Sequence, residues 1–324
     1  MQKKWTRYLQ MAVATVGLTA GTLGWAAYPD RPITLIVPYG AGGTTDQIGR
    51  AVGDALSRQL NQTIIIENKP GAAGTMGAAQ LKRAKPDGYT LSMLPLGVFR
   101  QVYLQPGGVS YDPLKDISYI SMFAGYSFSV AVMKDAKWQT IQELVEDAKS
   151  RPGEIAYGSP GLFSGNHVVM AELERVTGAK FNHVPFKSDS ESLTAMMGGH
   201  IDAASSTNVV VPFVASGQMR VLASAGKTRP KDLADAPTLQ EAGYDVLVPS
   251  PMGIGAPANL PQDIVEKLDN AIKAMTQDPK FIEIMDRLGV EIEYADHKAY
   301  QQYAVGTMQS EKVLVDRLSS QLKD

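Results

Sequence analysis

The sequence predicts an α/β protein of two domains, each a mostly parallel sheet flanked by helices. Three observations lead there. Short apolar runs alternate with helical patterns along the chain. Runs such as 33–37 and 64–66 are apolar on both faces, as strands covered from both sides require. The alternation changes character near residue 125 and again near Pro237, which marks a second unit inserted into the first.

Taken in order, 33–37 is a buried strand and 46–60 a helix opened by small and capping residues. A strand at 63–67, a helix at 74–85 and a short apolar strand at 89–93 follow. Strands at 119–123 and 129–133 flank Gly125. The stretch 140–150 places Ile141, Leu144, Val145 and Ala148 on one face behind an N-cap Thr140, and Arg151-Pro-Gly153 stops it. Next come a strand at 155–157, a helix at 165–176 ended by Gly178, and a strand at 181–184. Lys187 to Ser190 caps a helix at 191–197. Strand 201–205, helix 209–216 and strand 219–223 complete the second unit. Beyond Pro237 the pattern predicts a short helix at 238–242 and extended pieces at 246–248 and 253–257. Helices follow at 261–277, 279–288 and 297–322. Those last helices need a sheet to cover, and the first domain supplies it. The expected domains are 27–125 with 226–324, and 126–225; two crossings between them make a hinge.

Lys3, Lys4 and Arg7 precede an uncharged, mostly apolar run and the small residues of Gly24-Trp-Ala26. This layout predicts a signal peptide over 1–26, cleaved near Ala26, and hence export to the periplasm. Cleavage takes the formal charge from −2 to −5. An acidic chain without basic runs argues against nucleic acid, and any anion site must then be local. The chain has no cysteine, which excludes disulfides, thiolate metal sites and cysteine nucleophiles.

The most informative motif is Tyr39-Gly-Ala-Gly42-Gly43-Thr44-Thr45-Asp46. A buried strand runs into a glycine-rich turn that opens a helix. Backbone N–H groups and a positive helix end then point at one spot, which suits an anion. Glycines in a plain strand–helix turn serve geometry alone, but four small residues in succession exceed that need. Gly71-x-x-Gly74-x-x-Gly77 follows a second strand, where the glycines serve helix packing equally well. Gly158-Ser159-Pro160-Gly161-Leu162-Phe163-Ser164 repeats the first device in the other domain. Lys187 and the stretch Ser205-Ser-Thr-Asn208 also follow strands on the ligand side expected of such sheets.

Motifs for catalysis, metals and cofactors are missing. His167, His183, His200 and His297 show no metal-binding spacing, Ser164 is one residue out of register for a nucleophile elbow, and no P-loop lysine occurs. The reading is therefore a binding protein without metal or cofactor. An exported enzyme acting on a carboxylate is the alternative, with Asp46, Asp202 or His167 as its base. A partner that presents its ligand to a sensor is another.

Seven motifs in fixed order extend this reading. They are Tyr28-Pro-Asp-Arg-Pro-Ile-Thr-Leu-Ile-Val-Pro-Tyr, Gly42-Gly-Thr-Thr-Asp46, Glu67-Asn-Lys-Pro-Gly-Ala-Ala-Gly74, Pro86-Asp-Gly-Tyr-Thr-Leu91, Tyr157-Gly-Ser159, His183-Val-Pro-Phe-Lys187 and Gly255-Ala-Pro257. In these the chain resembles the Bug-type periplasmic solute-binding receptors of tripartite tricarboxylate transporters. The resemblance implies a clamshell that closes on a small organic acid and passes it to inner-membrane permease subunits. A monomer is the default for a receptor that must hinge. The resemblance also implies ligand roles for Tyr39, Gly42, Gly43, Thr44 and Asp46, with Ala72. From the second domain it implies Ser159, Gly161, Ser164, Lys187, and Asp202 or Ser205. Phe186, Ser188, Leu94-Pro-Leu96 and Phe163 depart from the family pattern and suggest a less polar pocket, with a ligand of apolar or aromatic body.

Overall fold

The computed structural model describes residues 28–104, 107–125 and 127–321; the expected signal peptide lies outside them. The chain first lays down β1 (Ile33–Val37), β2 (Ile64–Asn68), β3 (Thr90–Leu94) and β4 (Ile117–Gly125). It then crosses to β5 (Ser129–Met133), β6 (Ala156–Ser159), β7 (Asn182–Pro185), β8 (Ala203–Ser206) and β9 (Met219–Ser224). It returns as β10 (Pro251–Pro257) and β11 (Glu291–Ala295). The two sheets have strand orders β11-β4-β10-β3-β1-β2 and β7-β6-β8-β5-β9.

Both sheets are mixed. β1 pairs in parallel with β2 and β3, but β10 enters antiparallel between β3 and β4, and β11 pairs antiparallel with β4. In the second sheet β6 runs parallel to β7 and β8, whereas β5 is reversed between β8 and β9.

Helices cover the sheets where apolar stripes demand it. α1 (Thr44–Leu60) buries Ile48, Val52 and Leu56. Gly49 and Gly53 let it approach the first sheet, since a Cβ there would lie 2.5 Å from Val37 and 2.8 Å from Ile66. α2 (Met76–Leu81) starts two residues later than its pattern predicts, because Ala73 and Gly74 have positive φ, and it ends four residues earlier. α3 (Gly97–Leu104) was not foreseen; it begins at Gly97, two residues after Pro95. α4 (Ile141–Ser150) is capped by the Thr140 hydroxyl, which accepts from Glu143 N at 3.2 Å. α5 (Gly165–Thr177) has the foreseen Ser164 and Gly178 caps. α6 (Asp189–Met197), α7 (Val211–Ala215), α8 (Gln262–Met275), α9 (Pro279–Arg287) and α10 (His297–Gln321) complete the set.

The stretch 238–242 is a turn rather than a helix, and 246–248 pairs with no strand. Leu239, Val246 and Val248 instead pack into the core of the second sheet, with Val130, Leu144 and Leu222. The core under the first sheet joins Leu35, Ile48, Phe123, Ile254, Leu268 and Phe281. α10 spans both units. Its Tyr300 and Ala304 pack with Phe99 and Tyr119, while Leu314 and Leu318 join the second core. Among the described residues no helix is long and apolar enough to cross a membrane.

Candidate functional site

Three helix starts converge on one small cavity between the sheets. Its walls are Tyr39, Gly43, Thr44 and Thr45 from the first side, and Pro160, Asn166, Ser188, Asp189 and Thr207 from the second. Its volume is about 20 Å3, room for roughly one water. Thr44 opens α1, Asn166 lies in the first turn of α5, and Ser188 caps α6. Each helix start aims unpaired backbone N–H groups and a partial positive charge into the same space.

The glycine turn is braced from behind. Gly42 sits at φ +84°, a conformation that favours glycine, and its N–H donates to Asp46 Oδ2 at 2.9 Å. Asp46 also accepts from Arg50 Nε at 3.0 Å and from Asn68 Nδ2 at 2.8 Å. Burial pushes the Asp46 carboxyl up, but these bonds outweigh it and hold the group below the usual carboxylate range. Asp46 therefore shapes the turn and is spent on it. Tyr39 donates to Ala73 O at 3.3 Å and stands between this cavity and a second one, lined by Pro95, Leu96, Arg100, Phe128 and Asn166 among others.

The two sides touch directly. Gly40 N donates to Lys187 O at 3.1 Å, and Ser190 Oγ donates to Gly42 O at 2.7 Å. The Thr44 and Thr207 hydroxyls meet at 2.5 Å, and Val209 N donates to Thr44 Oγ1 at 3.1 Å. The cleft is closed.

Of the residues named from sequence, Tyr39, Gly43 and Thr44 line the cavity, and Gly42 supports it. Ala72 begins the tight turn that carries Ala73. Gly161 faces the Ala73 backbone across the cleft. Ser164 serves as N-cap, and the Ser159 hydroxyl is held by His183 Nε2 at 2.7 Å. Lys187 contributes its carbonyl, with an exposed side chain. Ser205 is buried, and its carbonyl accepts from Asn166 Nδ2 at 2.8 Å. Asp202 is not brought to the cleft. It is exposed where β6 and β8 begin, accepts from Ala156 N at 2.8 Å, and so lies at the opposite strand ends.

Sequence reasoning missed Asn166, Asp189 and Thr207 as individual residues, although each lies in a stretch it singled out, and it named Ser188 only as a departure from the family pattern. The available signal was position: polar residues immediately after a strand or at a helix start. Asp189 accepts from Thr207 N at 2.8 Å, Thr207 Oγ1 at 2.5 Å and Asn166 Nδ2 at 3.2 Å. Burial raises its carboxyl above the ordinary range against those bonds. Phe163 and Phe186, invoked for a less polar pocket, pack into the apolar cores, while Leu96 lines the second cavity. His167 is buried, and desolvation, aided by His183 and Arg100, drives it down to about 3.

The family model described as tripartite tricarboxylate transporter family receptor matches residues 48–319. A Cupriavidus necator protein, described as the UPF0065 protein in the gbd 5′ region, is 37% identical over 317 residues. The match covers 94% of this chain and 96% of that protein. The structure of MatC from Rhodopseudomonas palustris with bound malate is 25% identical with a TM-score of 0.83, covering 89% of this chain and 100% of that one. An R. palustris structure with adipate is 26% identical with a TM-score of 0.84, covering 90% and 98%.

Proposed function

The chain belongs to the tripartite tricarboxylate transporter receptor family, and from that premise we propose that it captures a small organic carboxylate between its two sheets. The observation that carries the proposal is the convergence of three helix starts on one closed cavity. Similar structures with malate and adipate support the ligand class. The carboxylate replaces the Thr44–Thr207 contact and takes backbone donors at Gly43 to Thr45. Tyr39 and Asn166 border both cavities, so the ligand body extends past them toward Pro95, Leu96 and Phe128.

Closure needs no chemistry. Ligand contacts made only in the closed form shift the population toward it. The full reading is a monomeric periplasmic receptor, exported through residues 1–26, that hands its ligand to inner-membrane permease subunits. Within it the hinge is formed where the chain passes between the two sheets, after β4 and before β10. The family's description as a transporter receptor supports the delivery step. Its test is uptake by cells that carry the permease, with and without this protein.

The binding step is tested by thermal unfolding of mature protein that has been refolded to strip ligand. Mono-, di- and tricarboxylates form the panel. Occupancy at 100 times the dissociation constant adds about 2.7 kcal/mol, visible as a raised midpoint. A rise with one carboxylate class supports the reading. No rise with any carboxylate overturns it.

A further inference from the structure

Away from the cleft, α5 and the end of α10 border a cavity of about 240 Å3 that shares no described wall residue with the two cavities above. Close-packed interiors leave few spaces larger than a water. His167, Ala171 and Glu174 reach it at i, i+4 and i+7, from one face of α5. Phe163 comes from the turn before α5, Phe181 from the residue before β7, and Leu318 from α10. Phe163, His167 and Leu318 are buried, and the Phe163 and His167 rings stand 5.2 Å apart. Lys180 is the exposed member of the wall.

Two polar groups in this wall are short of partners. His167 Nδ1 has none, and desolvation keeps the imidazole uncharged, so the ring offers an aromatic face. Glu174 accepts from Phe181 N at 2.7 Å, its one bond among the described residues, although a carboxylate has room for several. Burial pushes its carboxyl up, against that bond and the nearby Lys180 charge. The rest of the wall is apolar, and the charges of Glu174 and Lys180 cancel. We infer that this cavity is a second binding site, for a small neutral aromatic molecule with one N–H or O–H donor, of the indole or phenol kind. Its ring lies among Phe163, His167 and Phe181, and its donor bonds Glu174. A cavity of about 150 Å3 holds benzene, so the space here admits a fused two-ring molecule.

The site stands behind the wall of the cleft. Phe163 lends its ring to the cavity and its carbonyl to Arg100 across the cleft, at 3.4 Å. Its backbone is left-handed, with φ +58°, a strained conformation for a residue with a side chain. An occupant packed on that ring steadies the turn that carries Pro160 and Gly161.

The test uses mature protein and two matched pairs that differ in the donor: indole and 1-methylindole, phenol and anisole. Dissociation constants are measured by calorimetry on the parent, on Ala171→Leu and on Ala171→Met. Both substitutions fill the cavity from a half-buried position, and either folded variant suffices. Indole or phenol should bind, with its donor-free partner weaker by about five-fold or more. The variants should lose about ten-fold or more. Amide hydrogen exchange at residues 161–164 should slow when the site is filled. No binding of indole or phenol overturns the site, and so does binding that the Ala171 variants leave unchanged. Equal affinity within both pairs overturns the role of Glu174. Unchanged exchange at 161–164 overturns the contact with Phe163. Each of these failures leaves the carboxylate reading of the cleft standing.

Discussion

Thr44 and Thr207 lie 163 residues apart and meet hydroxyl to hydroxyl at 2.5 Å. The direction of that bond is set by its neighbours. Val209 N–H donates to Thr44 Oγ1, and the Thr207 hydroxyl donates to Asp189 Oδ2. The Thr44 hydrogen must therefore point at Thr207. A one-way chain of donors runs from the Val209 backbone to the Asp189 carboxylate, and it exists only while the cleft is shut.

Thr44→Val keeps the shape and removes the hydroxyl. Val209 N–H then loses its acceptor and Thr207 loses its donor, which costs the closed form about 1–3 kcal/mol. Small-angle scattering of ligand-free protein should show a larger radius of gyration than the parent. An identical radius would mean that the relay does not hold the cleft.

His167 ties stability to pH. Its imidazole is driven down to about 3 in the fold, from 6.5 in the open chain. The unfolded chain therefore binds a proton that the folded chain refuses. The contribution of the neutral imidazole is complete above pH 6.5. It is lost as pH falls toward 3, at up to about 1.4 kcal/mol per pH unit. Burial lowers His183 to about 4, which acts in the same sense. His167 Nδ1 has no hydrogen-bond partner, so His167→Leu orphans no group bonded there. Between pH 7.5 and 4.5 its melting temperature should fall less than the parent's; parallel falls would refute the assignment.

Gly97→Ala places a methyl 2.1 Å from the Ala73 carbonyl oxygen, a backbone atom that cannot swing aside. That carbonyl accepts from Tyr39. Overpacking of this kind costs about 1–3 kcal/mol and displaces the tyrosine between the two cavities. Urea unfolding should register the loss and calorimetry a weaker ligand; full retention of both would show that the loop yields freely.

Arg100 and Glu311 form a buried pair between α3 and α10, and Arg100 also donates to Phe163 O at 3.4 Å. Arg100→Met alone leaves an unpaired buried carboxylate and should cost about 3–5 kcal/mol. Adding Glu311→Gln should restore part of that loss. Urea midpoints of the single and double variants decide the matter, and simple additivity would deny the coupling.

Local physics explains what was legible in the sequence. β1, the glycine turn and α1 follow one another within thirty residues, and each is marked by its own side chains. Ser164, Gly178 and Thr140 work as caps because capping needs only near neighbours. β11 escaped notice because its first and third residues are exposed glutamates, which read as surface. Asp202 entered the expected site through the family resemblance, inside an expected strand 201–205, but the observed β8 starts after it, and ligands gather where strands end. Asp189 and Thr207 could not be assigned from sequence, since their importance arises only when the second lobe meets Thr44.

The placement of β10 has a consequence for how the chain reaches this state. β10 lies between β3 and β4, yet it is made only after the whole second lobe. Until residues 251–257 arrive, β3 presents an open edge and β4 has no partner in the sheet, since β11 is made later still. The early lobe cannot mature on its own, and about 125 intervening residues must be accommodated first. During synthesis these edges stay open to wrong pairings throughout that interval. The sheet begun last is the first whose strands are all in place.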